Sequence, residues 1–119
     1  MNRPYVPAGV IPAVLLPFLE DLSIDEASYR AHLRDVASVE GISAITTNAH
    51  ASEVASCTFD EQRRVLAITR DEVRLPIVNG TYGEGSLEAA RLARMAHEGG
   101  AAALLVFPPG VYVFGQRPE

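Results

Sequence analysis

The chain of 119 residues contains no lysine, and its ten basic residues are all arginines. A Schiff base on a lysine side chain is therefore excluded within these residues. Fifteen acidic residues leave a net charge of -5, and the arginines stand singly or in pairs. Because no basic stripe is available to contact a phosphate backbone, we expect no nucleic-acid partner.

Cysteines and long apolar runs are also scarce. Cys57 is the only cysteine, so the chain forms no internal disulfide, and this count favours a reducing, cytoplasmic compartment. The longest apolar stretch, residues 6–19, is interrupted by three prolines and leads into Glu20 and Asp21. We expect neither a signal peptide nor a membrane span, because a span needs about 20 continuous apolar residues.

What is present indicates a globular chain: 48% of the residues are hydrophobic and 21% are charged. Helical patterns alternate with short apolar runs in which a new strand starts roughly every 30 residues. This is the βαβ rhythm of a parallel sheet, and it predicts an α/β fold without deciding between an open sheet and a barrel. The predicted strands are residues 9–18, 42–47, 75–79 and 102–107. The last of these is entirely apolar, which predicts a strand covered on both faces.

Local signals place the predicted helices. Asp25 is the expected N-cap of the first helix, and Gly41 its stop. Thr58 and Glu61 have the spacing of a capping box at the start of the second helix. Ser86 is the expected cap of the third, after a Gly-rich loop, and residues 111–119 read as a loop.

In a parallel sheet, functional loops follow the carboxyl ends of the strands. The loop after the second predicted strand is the richest in reactive side chains: it holds Asn48, His50, Ser52, Glu53 and Cys57. His50 and Glu53 have the spacing of a metal-binding or proton-sharing pair, but no second pair of ligands accompanies them, so we predict no metal. His50 is interpreted either as a proton relay or as a hydrogen-bonded loop residue. Cys57 is either a nucleophile activated by His50 or a small packed residue.

The loop at residues 80–85 has the order G-x-x-G-x-G, which differs from the dinucleotide fingerprint, so no nucleotide and no other cofactor is predicted. Its glycines indicate a tight turn, with an anion site at Ser86 as the alternative. Tyr82 and Tyr112 either place a phenol in a pocket or pack at its border.

Several motifs together resemble the dihydrodipicolinate synthase / N-acetylneuraminate lyase family. They are residues 9–18, Asp21, the pair 24–25, residues 43–45, the pair 52–53, and residues 60–63, 75–81 and 104–109. The resemblance implies a (β/α)8 barrel of about 250 residues. This chain would be its N-terminal half, about four βα units, forming one partial domain over residues 1–119. Family members act on pyruvate through a Schiff base on a lysine of the sixth strand, which would lie beyond Glu119. The expectation is a fragment of a 2-oxo-acid lyase, inactive alone, from a homo-oligomeric enzyme.

The resemblance also assigns residues. The family's G-T-T-G-E loop, which holds the keto-acid carboxylate, reads here as residues 49–53. The backbone amides of Ala51 and Ser52 would hold the carboxylate, Glu53 would be structural, and His50 would replace a threonine in the proton relay. The family's T-P-Y-Y segment reads as residues 107–110 and lacks its tyrosine, which leaves Tyr112 as the candidate proton shuttle.

Two interpretations from other classes remain open at this point. One is a non-catalytic half-barrel interaction module, whose exposed strand edges pair with another copy or with a separate C-terminal half. The other is an open α/β domain that binds a small anion at Ser86.

Overall fold

The computed structural model describes residues 3–113. Its helices are α1 (Glu26–Ala37), α2 (Phe59–Glu72), α3 (Ser86–Glu98) and α4 (Gly110–Val113), and its strands are β1 (Ile45–Thr47), β2 (Ile77–Thr81) and β3 (Ala103–Val106). Two 3₁₀ turns, His50–Ser52 and Val54–Ser56, connect β1 to α2. The three strands are parallel and lie in the order β1-β2-β3, which confirms the α/β prediction. None of the helices within residues 3–113 has the length and apolar character needed to cross a membrane.

Two of the three predicted helix starts are confirmed. The Asp25 side chain accepts a hydrogen bond from the Ser28 amide at the start of α1. At α2, Thr58 and Glu61 each accept from the other's backbone amide, as a capping box requires. The prediction for α3 is wrong by one residue, because Ser86 is already helical and the extended residue before it, Gly85, is the N-cap.

The first predicted strand, residues 9–18, forms only isolated bridges. Thr46 donates its amide to the carbonyl of Pro12 and accepts from the amide of Val14, so this segment runs parallel to β1. The next bond of a parallel ladder needs the N–H of residue 12, which proline lacks. The ladder therefore stops at Pro12, and the register shifts by one residue before the next bridge, between Val10 and Ile42.

The hydrophobic core lies between the helices and one face of the sheet. Its largest fully buried side chains include Tyr29 and Leu33 of α1, Ile45 of β1, Leu66 and Ile68 of α2, Ile77 of β2 and Leu92 of α3. The pattern follows the helical and strand periodicities of the sequence.

The distal strand β3 departs from the prediction that it is covered on both faces. Leu104, Leu105 and Val106 are 40%, 41% and 66% exposed in the described structure. Apolar surface on β3 is therefore left open, next to an edge that bonds to no further strand among residues 3–113.

The prediction of a loop over residues 111–119 is also corrected in part. One helical turn, α4, follows the two prolines after β3 and includes Val111 and Tyr112. The remaining residues of that predicted loop, 114–119, lie outside the described residues.

Candidate functional site

The loop that follows β1 is anchored by a buried asparagine. Asn48 adopts a left-handed backbone (φ 52°) and is 1% exposed. Its side-chain amide donates to the carbonyl oxygen of Gln62 in α2 and to Oδ1 of Asn79 in β2, both at 2.9 Å. These bonds fix the start of the loop, and thereby the direction in which the following residues leave the sheet.

The candidate carboxylate loop is a 3₁₀ turn closed by its own hydrogen bonds. Ser52 donates its amide to the carbonyl of Ala49 at 3.0 Å and its hydroxyl to the carbonyl of Val14 at 2.7 Å. Both donors of Ser52 are therefore engaged within the protein, and its side chain is buried. Glu53 has the left-handed backbone (φ 55°) that separates the two 3₁₀ turns, so it shapes the loop while its side chain is exposed.

Ala51 differs from Ser52, because its backbone amide has no hydrogen-bond acceptor among residues 3–113. Its side chain borders an open cavity of about 440 Å³, shared with Leu15, Leu16, Pro17, Ser28, His32 and Glu53. His32 also lies here, although the sequence did not point to it, and its Nε2 accepts a hydrogen bond from the Leu15 amide at 3.1 Å. Its spacing of four residues from Ser28, on one face of α1, is the signal that identifies it.

Three rings from three successive strand ends meet beside this loop. The imidazole of His50 stacks on the ring of Phe107, with centroids 4.1 Å apart and planes inclined by 14°. Tyr82 meets the same imidazole edge-on, at 5.3 Å and 83°. Phe107 was not singled out from the sequence, and only its position at the carboxyl end of a strand distinguishes it.

Tyr112, the candidate shuttle, lies in α4 and is 71% exposed. Its amide donates to the carbonyl of Pro109, which closes the helical turn. Among the described residues, the aromatic partners of His50 are Phe107 and Tyr82, and Tyr112 is not one of them.

Metal ligands and the thiol of Cys57 are the remaining candidates for chemistry at this site. No group of three or more His, Cys, Asp or Glu side chains within residues 3–113 is arranged to hold a metal ion. Burial, together with the charges of Glu61 and Glu53, raises the pKa of Cys57 to about 11. The thiolate is therefore disfavoured at neutral pH, which favours the interpretation of Cys57 as a small packed residue.

The model of the dihydrodipicolinate synthetase family matches residues 6–117. The chain belongs to this family.

Relatives and solved structures agree with the family assignment. A 4-hydroxy-tetrahydrodipicolinate synthase of Methanothrix thermoacetophila is 36% identical over 101 residues, which cover 85% of this chain and 34% of the relative. The structure of the 4-hydroxy-tetrahydrodipicolinate synthase from Methylacidiphilum fumariolicum SolV matches with a TM-score of 0.79 at 24% identity, covering 93% of this chain and 36% of that one. N-acetylneuraminate lyase from Fusobacterium nucleatum, solved with pyruvate, gives 0.79 at 22%, covering 89% and 37%.

Family and structural likeness together give the fold: the helices and strands form the N-terminal half of a (β/α)8 barrel. The chain is similar to lyases, and it spans about a third of the length of the relatives that it matches.

Proposed function

We propose that this chain is the N-terminal part of a lyase that forms or cleaves a carbon–carbon bond of a 2-oxo acid, such as pyruvate, through a Schiff base. In that enzyme, residues 1–119 form a partial barrel domain in a cytoplasmic homo-oligomer. The observation that carries the proposal is the loop at residues 49–53. It stands at the carboxyl end of β1, where the family resemblance places the keto-acid carboxylate, and it offers an uncommitted amide at Ala51.

Ala51 is the main carboxylate donor in this proposal. Its N–H is one of the first in a 3₁₀ turn, and such groups have no partner within the turn. Ser52 contributes by positioning the turn: its hydroxyl donates to the carbonyl of Val14 and holds the turn against the segment at residues 9–18. The Ser52 amide joins the carboxylate only by releasing the carbonyl of Ala49.

His50 is the proposed proton relay, and Tyr112 the alternative. An imidazole exchanges protons near neutral pH, which suits a group that moves a proton to or from a reacting oxygen. The ring of His50 is held in one orientation by Phe107 and Tyr82. A fixed ring orientation favours proton transfer along one direction, as general acid–base catalysis requires.

The lysine amine that condenses with the 2-oxo group, with loss of water, must come from outside these residues, since they contain no lysine. The first experiment is therefore to sequence the source DNA and transcript through codon 119, and to treat the encoded product with pyruvate and borohydride. The expected result is a reduced pyruvate adduct on a lysine encoded downstream, with no side-chain adduct on residues 1–119. An encoded product without any adduct contradicts the Schiff-base proposal.

The proposal that the Ala51 amide binds the substrate carboxylate is tested separately, in the same encoded protein. Ala51→Pro removes the amide proton, and we expect pyruvate affinity to fall by about tenfold to a hundredfold, as for a hydrogen bond to a charged group. Ala55→Pro, the equivalent change in the second 3₁₀ turn, is the matched control. Equal pyruvate affinity in the two variants excludes Ala51 as the carboxylate donor.

A second function, a non-catalytic interaction module, is favoured by the exposed apolar side chains of β3. Light scattering on the purified chain tests it. A defined dimer, whose formation is lost in Leu105→Asp but retained in Leu87→Asp on α3, supports the module. Leu87 is the suitable control because it is 89% exposed and lies on a helix.

A further inference from the structure

Glu84 joins the loop after β2 to the loop after β3. Its Oε1 accepts a hydrogen bond from the backbone amide of Gly110 at 2.8 Å. The hydroxyl of Tyr82 donates to the same oxygen over a longer distance of 3.3 Å. One carboxylate oxygen therefore connects the start of α4 to the tyrosine that meets the His50 ring edge-on.

Because of its composition, the loop after β3 has few backbone N–H groups, so the contact with Glu84 determines how this loop is held. Phe107 is held at its amide by the carbonyl of Thr81, which extends the β2–β3 ladder by one bond. The next two residues, Pro108 and Pro109, have no N–H and so cannot donate a backbone hydrogen bond. The first N–H available beyond Phe107 is that of Gly110, and Glu84 is its acceptor.

The identity of residue 110 fits the same contact. A Cβ atom on Gly110 would lie 2.8 Å from Oε1 of Glu84 and 3.1 Å from the hydroxyl of Tyr82. Any larger residue would push the carboxylate or the phenol away. Glycine at this position is therefore what allows the backbone to approach both groups.

We propose that Glu84 is a positioning residue that fixes the loop after β3 and, through Phe107 and Tyr82, holds the imidazole of His50 in its stacked orientation. The carboxylate makes a charge-assisted bond to an amide, which is stronger than a bond between neutral groups. For the enzyme, Glu84 acts through His50 and touches no substrate. This catalytic meaning depends on the proposed function, whereas the structural coupling can be measured without any substrate.

The test compares Glu84→Ala, Glu84→Gln and the control Glu40→Ala, which removes an exposed carboxylate from the turn after α1. Two quantities are measured by NMR on the full chain: the hydrogen-exchange rate of the Gly110 amide, and the upfield displacement of the His50 ring protons caused by stacking on Phe107. In Glu84→Ala, we expect exchange at Gly110 to accelerate about tenfold, as for the loss of one hydrogen bond. The ring-proton displacement should fall by at least half.

Glu84→Gln retains an oxygen acceptor and should restore both quantities, and Glu40→Ala should change neither. The melting temperature of each variant should stay within about 5 °C of the wild type, which separates local loosening from global unfolding. Unchanged exchange at Gly110, or unchanged His50 ring shifts, in Glu84→Ala overturns the proposal. So does a glutamine variant that behaves like the alanine variant.

A second variant approaches the contact from the other side. Gly110→Ala inserts a methyl group next to Oε1, and we expect it to reproduce the loss of the His50 ring-proton displacement. If Glu84→Ala does not fold, this variant and Glu84→Gln decide the question, and a Gly110→Ala chain with wild-type ring shifts overturns the coupling. Absence of pyruvate binding would count against the proposed function and would leave these measurements unaffected.

Discussion

The backbone of Gly80 lies directly against the carbonyl group of Asn48: a Cβ atom on Gly80 would stand 2.0 Å from that carbonyl oxygen. Gly80 belongs to strand β2, and its role is close approach rather than a turn. The contact brings β2 next to the residue that starts the candidate carboxylate loop. Glycine is therefore a requirement of the site as well as of the sheet.

This contact predicts the effect of Gly80→Ala. Neither backbone can move aside without breaking the β1–β2 ladder, so we expect a loss of more than about 4 kcal/mol in the free energy of unfolding, the range of severe core lesions. Chemical denaturation measures it. Gly85→Ala is the control, because a Cβ atom there meets no atom within 4 Å; its cost should be about 1 kcal/mol or less, that of an N-cap change. Equal costs for the two variants contradict the argument.

A buried hydroxyl cluster supplies the second prediction. The hydroxyl of Tyr29 lies 2.8 Å from Oγ1 of Thr47 and 2.8 Å from Oγ1 of Thr69, which connects α1 to β1 and α2. Tyr29→Phe leaves Thr47 without its tyrosine partner in a fully buried position. We expect unfolding to become easier by about 1–3 kcal/mol, the cost of an unsatisfied buried polar group. Tyr112→Phe, at an exposed tyrosine, should change stability by less than about 0.5 kcal/mol.

The third prediction concerns the reactivity of Cys57. With a pKa of about 11, its thiolate is scarce at pH 8, although a more basic thiolate is also a better nucleophile. We expect iodoacetamide to alkylate the folded chain about tenfold to a hundredfold more slowly than a free cysteine of pKa about 8.5. In denaturant, the two rates should converge. Fast alkylation of the native chain at pH 8 would restore Cys57 as a candidate nucleophile.

The fourth prediction is a pH dependence at the ion pair between α1 and α2. Arg64 donates to both carboxylate oxygens of Glu26, at 2.6 and 2.8 Å, and these bonds lower the pKa of that carboxyl. Since the folded pKa lies below the unfolded one, the pair stabilises the protein above about pH 4.3, the usual glutamate value, and this contribution is lost as the pH falls through the folded pKa. Both side chains are exposed to solvent, so the contribution is small, as for surface ion pairs in general.

A double-mutant cycle with Glu26→Gln and Arg64→Gln measures this contribution, because it removes the effect of the Glu26 charge on the N-terminus of α1. The coupling free energy should be present at pH 7 and should vanish in acid. A coupling that persists after the carboxyl is protonated shows that the side chains interact by packing and not by charge.

Local chemistry predicted the helices well, because caps act within four residues. Asp25 and Thr58 can be recognised as helix N-caps from the sequence alone, and both are confirmed. The first predicted strand does not form a continuous ladder, because Pro12 lacks the N–H that the ladder needs at that point. This reason can be read from the sequence. The bounds of β2 were predicted two residues early, because Gly80 reads as a turn residue until its approach to Asn48 is known.

The candidate site was only partly predictable. The loop after β1 is rich in polar residues and could be identified by composition and by family resemblance. The stacking of His50 on Phe107 joins residues 57 positions apart, and no periodicity reports which rings face each other across a sheet. The contact between Glu84 and Gly110 depends on the same long-range geometry.

The exposed apolar surface of β3 also determines the sign of the heat-capacity change that occurs when another protein surface packs on it. Any protein surface that packs on Leu104, Leu105 and Val106 removes apolar groups from water, which lowers the heat capacity of the system. The enthalpy of this packing becomes more negative as the temperature rises, while near 25 °C its driving force is mainly entropic. The stabilisation that apolar burial provides weakens on cooling. An assembly built on this strand therefore dissociates more readily in the cold.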